Sequence, residues 1–402
     1  MRCFEEHNER FPACAIKKKI VRVSEAMLSV QYVGWEGLPG NPMNSFLRAA
    51  PLLFVVTLFP TSADAQLQPR AAPSSEKATR RLVLDVVVTD HSGKATAGLQ
   101  QKDFAVFDSG HEAKIISFHA VGTRTAAGDG QAVEPPVKII LLVDEVNTDF
   151  TRVSYERDQI KRFLQQNGGV LAHPISLAFF SDTGTDIQNT SSRDGNALLA
   201  AFDQHETALR TVRRSTGVYG AIERLQLSLK TLQSLTAKEA EEPGRKIVVW
   251  ISPGWPLLSG PGIELTAKEQ ASIFSSIVGI STALLQARIT LSSVDPLGAD
   301  AAAGSQDFYY QNFLKPIISA KRAQFGDLGL QVIAEQSGGL VLPASNDISA
   351  LISRCAADAD TYYTLVVDEA PADQPNEYHA LSVKVATPGL TTRTRSGYYA
   401  QP

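Results

Sequence analysis

Asp144, Glu145, Asn147 and Thr148 fall together at the end of an otherwise apolar run, KIILLVDEVNTDF from Lys138 to Phe150. Two carboxylates, an amide and a hydroxyl delivered to one spot can hold a polar partner. They can also move a proton, provided a second acid or nucleophile shares the pocket. Other polar residues stand at comparable breaks. Ser215 and Thr216 precede GVYGAI, Ser252 ends VVWIS ahead of Pro253, Gly254 and Trp255, Asp182 closes ISLAFFSD, and Asp295 closes ITLSSVD.

Those breaks are the ends of predicted strands. Apolar runs at 137–143, 175–180, 246–251, 289–294 and 339–342 alternate with helical periodicity at 152–166, 196–204, 217–235, 267–286, 327–336 and 347–358. Strand and helix in alternation predict a parallel sheet with helices on both faces, and continuous apolar strands are what burial on both faces requires. In such an open sheet, ligands sit beyond the carboxyl ends of the strands. Asp144 and its neighbours are expected on that rim. Short acids also cap loops and helices at these junctions, and Asp182 and Asp295 read first as caps. Trp250 and Trp255 read first as packing residues, although an exposed Trp255 beside the crevice would suit a protein partner.

The chain has 402 residues, 44% hydrophobic, with a formal charge of −4, enough for a sizeable core and without the basic field that attracts nucleic acid. The stretch MNSFLRAAPLLFVVTLFPTSADAQ from Met43 has the three parts of a secretory signal: Arg48, a short apolar run to Phe59, and Ala63-Asp64-Ala65 as cleavage site. Residues 1–65 are therefore expected to be a leader, with Met43 the true start, and the run is too short for a membrane anchor. The mature chain would be exported to the periplasm, cell surface or medium, with no transmembrane anchor left after cleavage. It keeps Cys355 and loses Cys3 and Cys14, so no internal disulfide is expected. A Pro, Ala and Ser-rich tether at 66–81 leads into an alternating β unit at 82–122. An α/β domain is expected at 134–358. The closing β runs at 360–402 are expected to pack with the first unit, since neither covers an apolar face alone.

Five segments in order, VVVTDHSGKATAGLQQKDFAVFDSG, LLVDEVNT, STGVYGAI, LQVIAEQSGGLVL and RTRSGYYA, resemble von Willebrand factor type A domains, and more closely the VWFA-related family of exported acidobacterial proteins. The resemblance spans about residues 82–400. It implies a doubly wound, mostly parallel α/β sheet with flanking β segments in a small β-sandwich. It also implies a metal-ion-dependent adhesion site at the top of the sheet, for Mg²⁺ or Mn²⁺. In that pattern Asp144 matches the first acid, Thr148 the last hydroxyl and Thr216 the second-loop threonine. Val146 stands where a serine belongs, and Ser252 where the third-loop aspartate belongs. A hard divalent ion wants an octahedron of oxygens, so the implied set is degenerate.

Phosphate-binding glycine loops, a G-x-S-x-G elbow and histidine pairs at zinc spacing are missing from the sequence. The expectation is a non-enzymatic module that binds a protein or peptide through Glu145, Asn147, Asp182, Ser252 and Trp255 on the rim, with or without a metal. The rival expectation is a periplasmic or cell-surface hydrolase using Asp144 or Asp182 as general base.

Overall fold

The computed structural model describes residues 80–122, 135–148, 150–205, 217–259, 263–296 and 310–402. The expected leader with Met43, the tether apart from Arg80 and Arg81, and Thr216 lie outside them. Along the described chain come β1 (Arg81–Thr89), β2 (Phe104–Asp108), β3 (His111–Ala113) and β4 (Ile115–Val121). The α/β part follows as β5 (Lys138–Asp144), α1 (Phe150–Leu164), β6 (Val170–Ser181), β7 (Gly184–Ile187), β8 (Ser192–Asp194), α2 (Gly195–Gln204), α3 (Gly217–Ala240), β9 (Lys246–Ile251), α4 (Ala267–Gln286), β10 (Ile289–Val294), α5 (Leu330–Gln336), β11 (Val341–Leu342) and α6 (Ile348–Ala356). The chain closes with β12 (Tyr362–Asp368), β13 (Glu377–Val385), β14 (Thr391–Arg393) and β15 (Gly397–Ala400).

The fold is mixed α/β, with a mostly parallel central sheet and antiparallel sheets beside it. The central order is β11-β10-β9-β5-β6-β7, with β8 also on β6. The pairs β5/β6, β5/β9, β9/β10 and β10/β11 are parallel, whereas β7 and β8 run antiparallel to β6. Those two short strands carry the polar sequences GTDI and SRD, which lack the apolar alternation that marks a strand. Ile139 to Asp144 of β5 are all buried, and Ile139, Leu141 and Val143 share a core with Ile160 and Phe163 of α1, Phe202 of α2 and Ile352 of α6. Side-chain caps start three helices: Asp194 accepts from Asn196 N and Ala197 N, Thr266 and Glu269 form a capping box, and Asp347 accepts from Ala350 N. The helix expected over 327–336 instead splits. Gly329 is extended, a 3₁₀ turn occupies Phe325–Leu328, and α5 begins only at Leu330.

Strands from the two ends of the described chain pair with each other: β1 with β12 and β2 with β13. The resulting sheets, β14-β1-β12-β4 and β15-β13-β2-β3, enclose one apolar core. It holds Leu82, Leu84, Val86 and Val88 from alternate positions of β1, with Tyr363, Leu365, Val106 and Val383. A polar knot sits within it. Asp108 accepts from Tyr398 Oη at 2.6 Å and lies 3.0 Å from His379 Nδ1, all three being buried. Asp108→Ala should destabilise the protein by about 3 kcal/mol in urea unfolding, because two buried polar groups lose their acceptor. The sandwich is tied to the α/β part by Arg393, whose Nη2 lies 2.7 Å from both carboxylate oxygens of Asp358. Arg245 adds a second tie, donating to Asp358 O at 2.8 Å with its guanidinium over the Tyr362 ring.

Candidate functional site

Asp144 stands at the carboxyl end of β5 with 0% exposure. Its Oδ1 accepts from the backbone of Val146 at 2.9 Å and of Asn147 at 2.8 Å. Its Oδ2 accepts from Asn147 Nδ2 at 2.9 Å and from Trp250 Nε1 at 3.0 Å. The loop after β5 is thus wound onto its own carboxylate, and an indole from the neighbouring strand closes the far side. Burial pushes the Asp144 pKa up, opposed by the hydrogen bonds from Asn147 and Trp250 and, least, by the Ser252 hydroxyl. The part played by Trp250 was legible in the register. Leu142 pairs with Trp250, and residues 142 and 144 share a face, so the indole must stand on the side where Asp144 points.

The surrounding acids are buried too. Glu145 is 7% exposed, with Oε1 3.3 Å from His205 Nε2, but burial and then Arg157 hold the imidazole below its usual pKa, so this contact is not an ion pair at neutral pH. Glu156 of α1 is 2% exposed, and its pKa is driven well up by burial, then by the charges of Asp144 and Glu145. The Thr148 hydroxyl lies beside it without closing a hydrogen bond of normal geometry, and Glu156 Oε1, Thr148 Oγ1 and Gln159 Oε1 are buried without partners among the described residues. Glu156 falls on the apolar stripe of its helix, between Val153 and Ile160. An acid on a buried stripe is the signal that could have found it.

The residues present do not fit a divalent ion at Asp144. Both of its oxygens already accept hydrogen bonds, Val146 supplies no oxygen, and Ser252 uses its own to accept from Gly254 N at 3.2 Å. Among the described residues no group of three His, Cys, Asp or Glu side chains could hold a metal. Asp144, Thr148, Glu145 and Asn147 do come together; Thr216 is outside the described residues.

The rim residues need correction on accessibility. Trp255 is 3% exposed and packs edge-on against Trp250 with ring centroids 5.0 Å apart; Ser252 is 0% exposed. Neither can present its side chain to a partner, because the loop after β9 folds back over the strand end. Gly254 permits that turn, with φ of +105° and space for a Cβ only 2.4 Å from Gln331 Nε2. Asn147 and Asp182 are half-buried.

Open space on this rim lies beyond β9 and β10 instead. A cavity of about 720 Å³ is lined by the segments that follow those two strands. Its apolar wall includes Leu258, Phe313, Ile317 and Phe325, and its polar wall Lys315, Lys321 and Arg322. None of these three cations has an acidic partner within salt-bridge distance among the described residues. Asp327 also lines it, its pKa raised by burial to about 6, with Oδ2 accepting from Gln324 N at 2.7 Å. Sequence reasoning passed over these residues because they lie in irregular segments and 3₁₀ turns that carry no periodic signal.

No family model matches the chain, and no curated protein matches it. Solved structures give loose likenesses. One is proximal thread matrix protein 1 from the mussel byssus, at TM-score 0.30 and 13% identity over 56% of this chain and 49% of that one. Another is the VWA domain of SpRpn10, at TM-score 0.25 and 13% identity over 56% of this chain and 97% of that domain. A third is the pilus adhesin SpaC from Lactobacillus rhamnosus GG, at TM-score 0.31 and 11% identity over 76% and 50%. The chain spans about half the length of the first and third. Likeness at this level carries nothing about ligand or activity. Among the described residues, no helix is long and apolar enough to cross a membrane.

Proposed function

We propose that the protein is an exported, von Willebrand factor A-like binding module with a doubly wound α/β domain. It takes a protein or peptide segment, without chemistry and without a bound ion, at the carboxyl-end rim of its central sheet. The observation that carries this reading is the cavity beyond β9 and β10, which sets an apolar wall against Lys315, Lys321 and Arg322. A segment with acidic and apolar residues is complementary to it, the apolar part supplying affinity and the charges register and association rate. The secretory-signal pattern in residues 43–65 supports export of such a module to the periplasm, the cell surface or the medium. A hydrolase using Asp144 as base has less support, since both carboxylate oxygens are engaged and the Ser252 hydroxyl beside them is fully buried, out of reach of a substrate.

A displayed peptide library tests the reading. Selected peptides should combine acids with apolar residues, and the double variant Lys321→Glu, Arg322→Glu should weaken their binding by at least about tenfold, an effect reduced at high salt. Binding should also strengthen as pH falls through about 6, where Asp327 on the cavity wall takes up a proton. Recovery of no peptides, or of peptides indifferent to the charge reversal, overturns the assignment.

A further inference from the structure

β4 is the outer strand of the β14-β1-β12-β4 sheet, and the register fixes which of its main-chain groups face outward. Glu369 N donates to Arg80 O at 2.8 Å, so the odd-numbered residues of β12 are the ones that bond β1. The even-numbered residues of β12 turn to β4, where Val366, Thr364 and Tyr362 stand opposite Ser117, His119 and Val121. The N–H and C=O groups of Phe118 and Ala120 therefore point away from the sheet. Alternation sets Ile116 the same way, where the strand leaves the bulge opposite Val366 and Val367. Among the described residues nothing bonds the outward groups of these three residues.

A bare edge of this kind is a template for another strand, and folded proteins blunt it with short strands, charges, proline or a covering element. The other outer strands have such protection. β3 and β14 are three residues each, β15 lies under α4 with the Tyr399 and Phe274 rings 5.9 Å apart, and β7 is tied to α3 through the Thr185 and Thr231 hydroxyls at 2.8 Å. β4 has seven residues, IISFHAV, with no Lys, Arg, Asp, Glu or Pro, and Ile116 is 40% exposed. Beside its first residue a cavity of about 650 Å³ opens between the two sheets and reaches the core residues Phe104 and Val106.

A second copy of the same strand is complementary to this edge. With β4 antiparallel to itself about a two-fold axis at Phe118, Ile116 falls opposite Ala120, Ser117 opposite His119 and Ile115 opposite Val121, so no like charges meet. The pairs 116/120, 118/118 and 120/116 are then hydrogen-bonded pairs, each exchanging two main-chain bonds. Moving the axis to His119 would set two imidazoles face to face and call on Gly122, which has left the strand with φ of +91°. Bulk permits the first register as well. Val121, at the end of β4, packs against the core of the α/β part, so antiparallel pairing carries the α/β parts of the two copies to opposite ends.

We propose that the protein is a two-fold symmetric dimer in which β4 of each copy pairs antiparallel with β4 of the other. The sheet runs on from copy to copy, four strands from each.

Sedimentation velocity of the full chain from about 1 to 100 µM, the range of modest protein affinities, tests this and should show a monomer giving way to a dimer. Ala120→Pro removes an N–H that serves no bond within its own copy, and proline is tolerated on an outer strand where that group faces solvent. It should weaken dimerisation at least about tenfold, equivalent to about 1.4 kcal/mol. Ile116→Lys, at an exposed position, should do the same by placing a charge on the edge. Both variants should keep the far-ultraviolet circular dichroism of the wild-type protein; if Ala120→Pro does not, Ile116→Lys alone decides. A wild-type protein that stays monomeric over the whole range overturns the proposal. So does a dimer whose dissociation is unchanged by Ile116→Lys, since it would be built on another surface.

Discussion

Replacing Asp144 by alanine is expected to destabilise the protein by about 3–5 kcal/mol, since each buried donor left unsatisfied costs about 1–3 kcal/mol and part of that is recovered by relaxation. The donors stranded are the backbone N–H groups of Val146 and Asn147, the Asn147 amide and the Trp250 indole. Of these, the Asn147 side-chain amide loses least, because it also donates to Ser228 Oγ at 3.0 Å. Trp250→Phe removes a single donor and should cost about 1–2 kcal/mol, the ring volume being largely kept. The comparison separates two accounts of this carboxylate. A side chain retained to bind an ion would be tolerated as alanine in ion-free buffer. One retained to wind the loop after β5 and pin it to β9 would not. Urea unfolding of both variants, with and without Mg²⁺, measures the difference, and Mg²⁺ should restore neither.

Glu156→Gln is expected to do the opposite and stabilise the protein, by about 1–3 kcal/mol at pH 8, the range for a polar group buried without full compensation. The folded pKa of Glu156 lies well above its ordinary value of 4.5, chiefly through burial. Between those two values the folded state keeps a proton that the unfolded chain has released. The wild-type protein therefore loses stability as pH rises from about 4.5 through the raised pKa. Below that window the side chain is a neutral acid in both states and the amide gains little. The difference in unfolding free energy between variant and wild type, taken across pH 4 to 9, cancels most other titrations and should climb with pH. A flat difference would show that the Glu156 charge is compensated by a contact absent from this structure. Asp144 and Glu145 raise the same pKa, so their neutral variants should shrink the climb.

Much of this architecture is written in local pattern. β9, β10 and α4 have the limits that apolar periodicity sets, because each is a clean run between strong punctuation, and β5 ends at the acid where the polar burst begins. The neighbourhood of Asp144, Asn147 and Thr148 was legible for the same reason: consecutive residues at a strand end have nowhere else to go. Burial was not legible. Trp255 and Ser252 look accessible in sequence because Pro253 and Gly254 signal a surface turn, whereas Gly254 turns the chain inward against Gln331. The 3₁₀ turn at Phe325–Leu328 escaped for another reason. Gly326 sits so close to Phe313 that a Cβ there would approach a ring carbon to 2.4 Å, a long-range contact that no local rule reports. Arg395 is the strongest case, since the second arginine of RTRSGYYA reads as a solvated charge and becomes unusual only once α4 and β1 close around it.

The direct measurement for a rim that works without an ion is isothermal titration of the protein with Mg²⁺ and with Mn²⁺. The hydrogen-bonded closure of Asp144 by Asn147 and Trp250 predicts no saturable heat for either ion. Saturable heat that disappears in Asp144→Asn would contradict it and place a cation where the indole now stands.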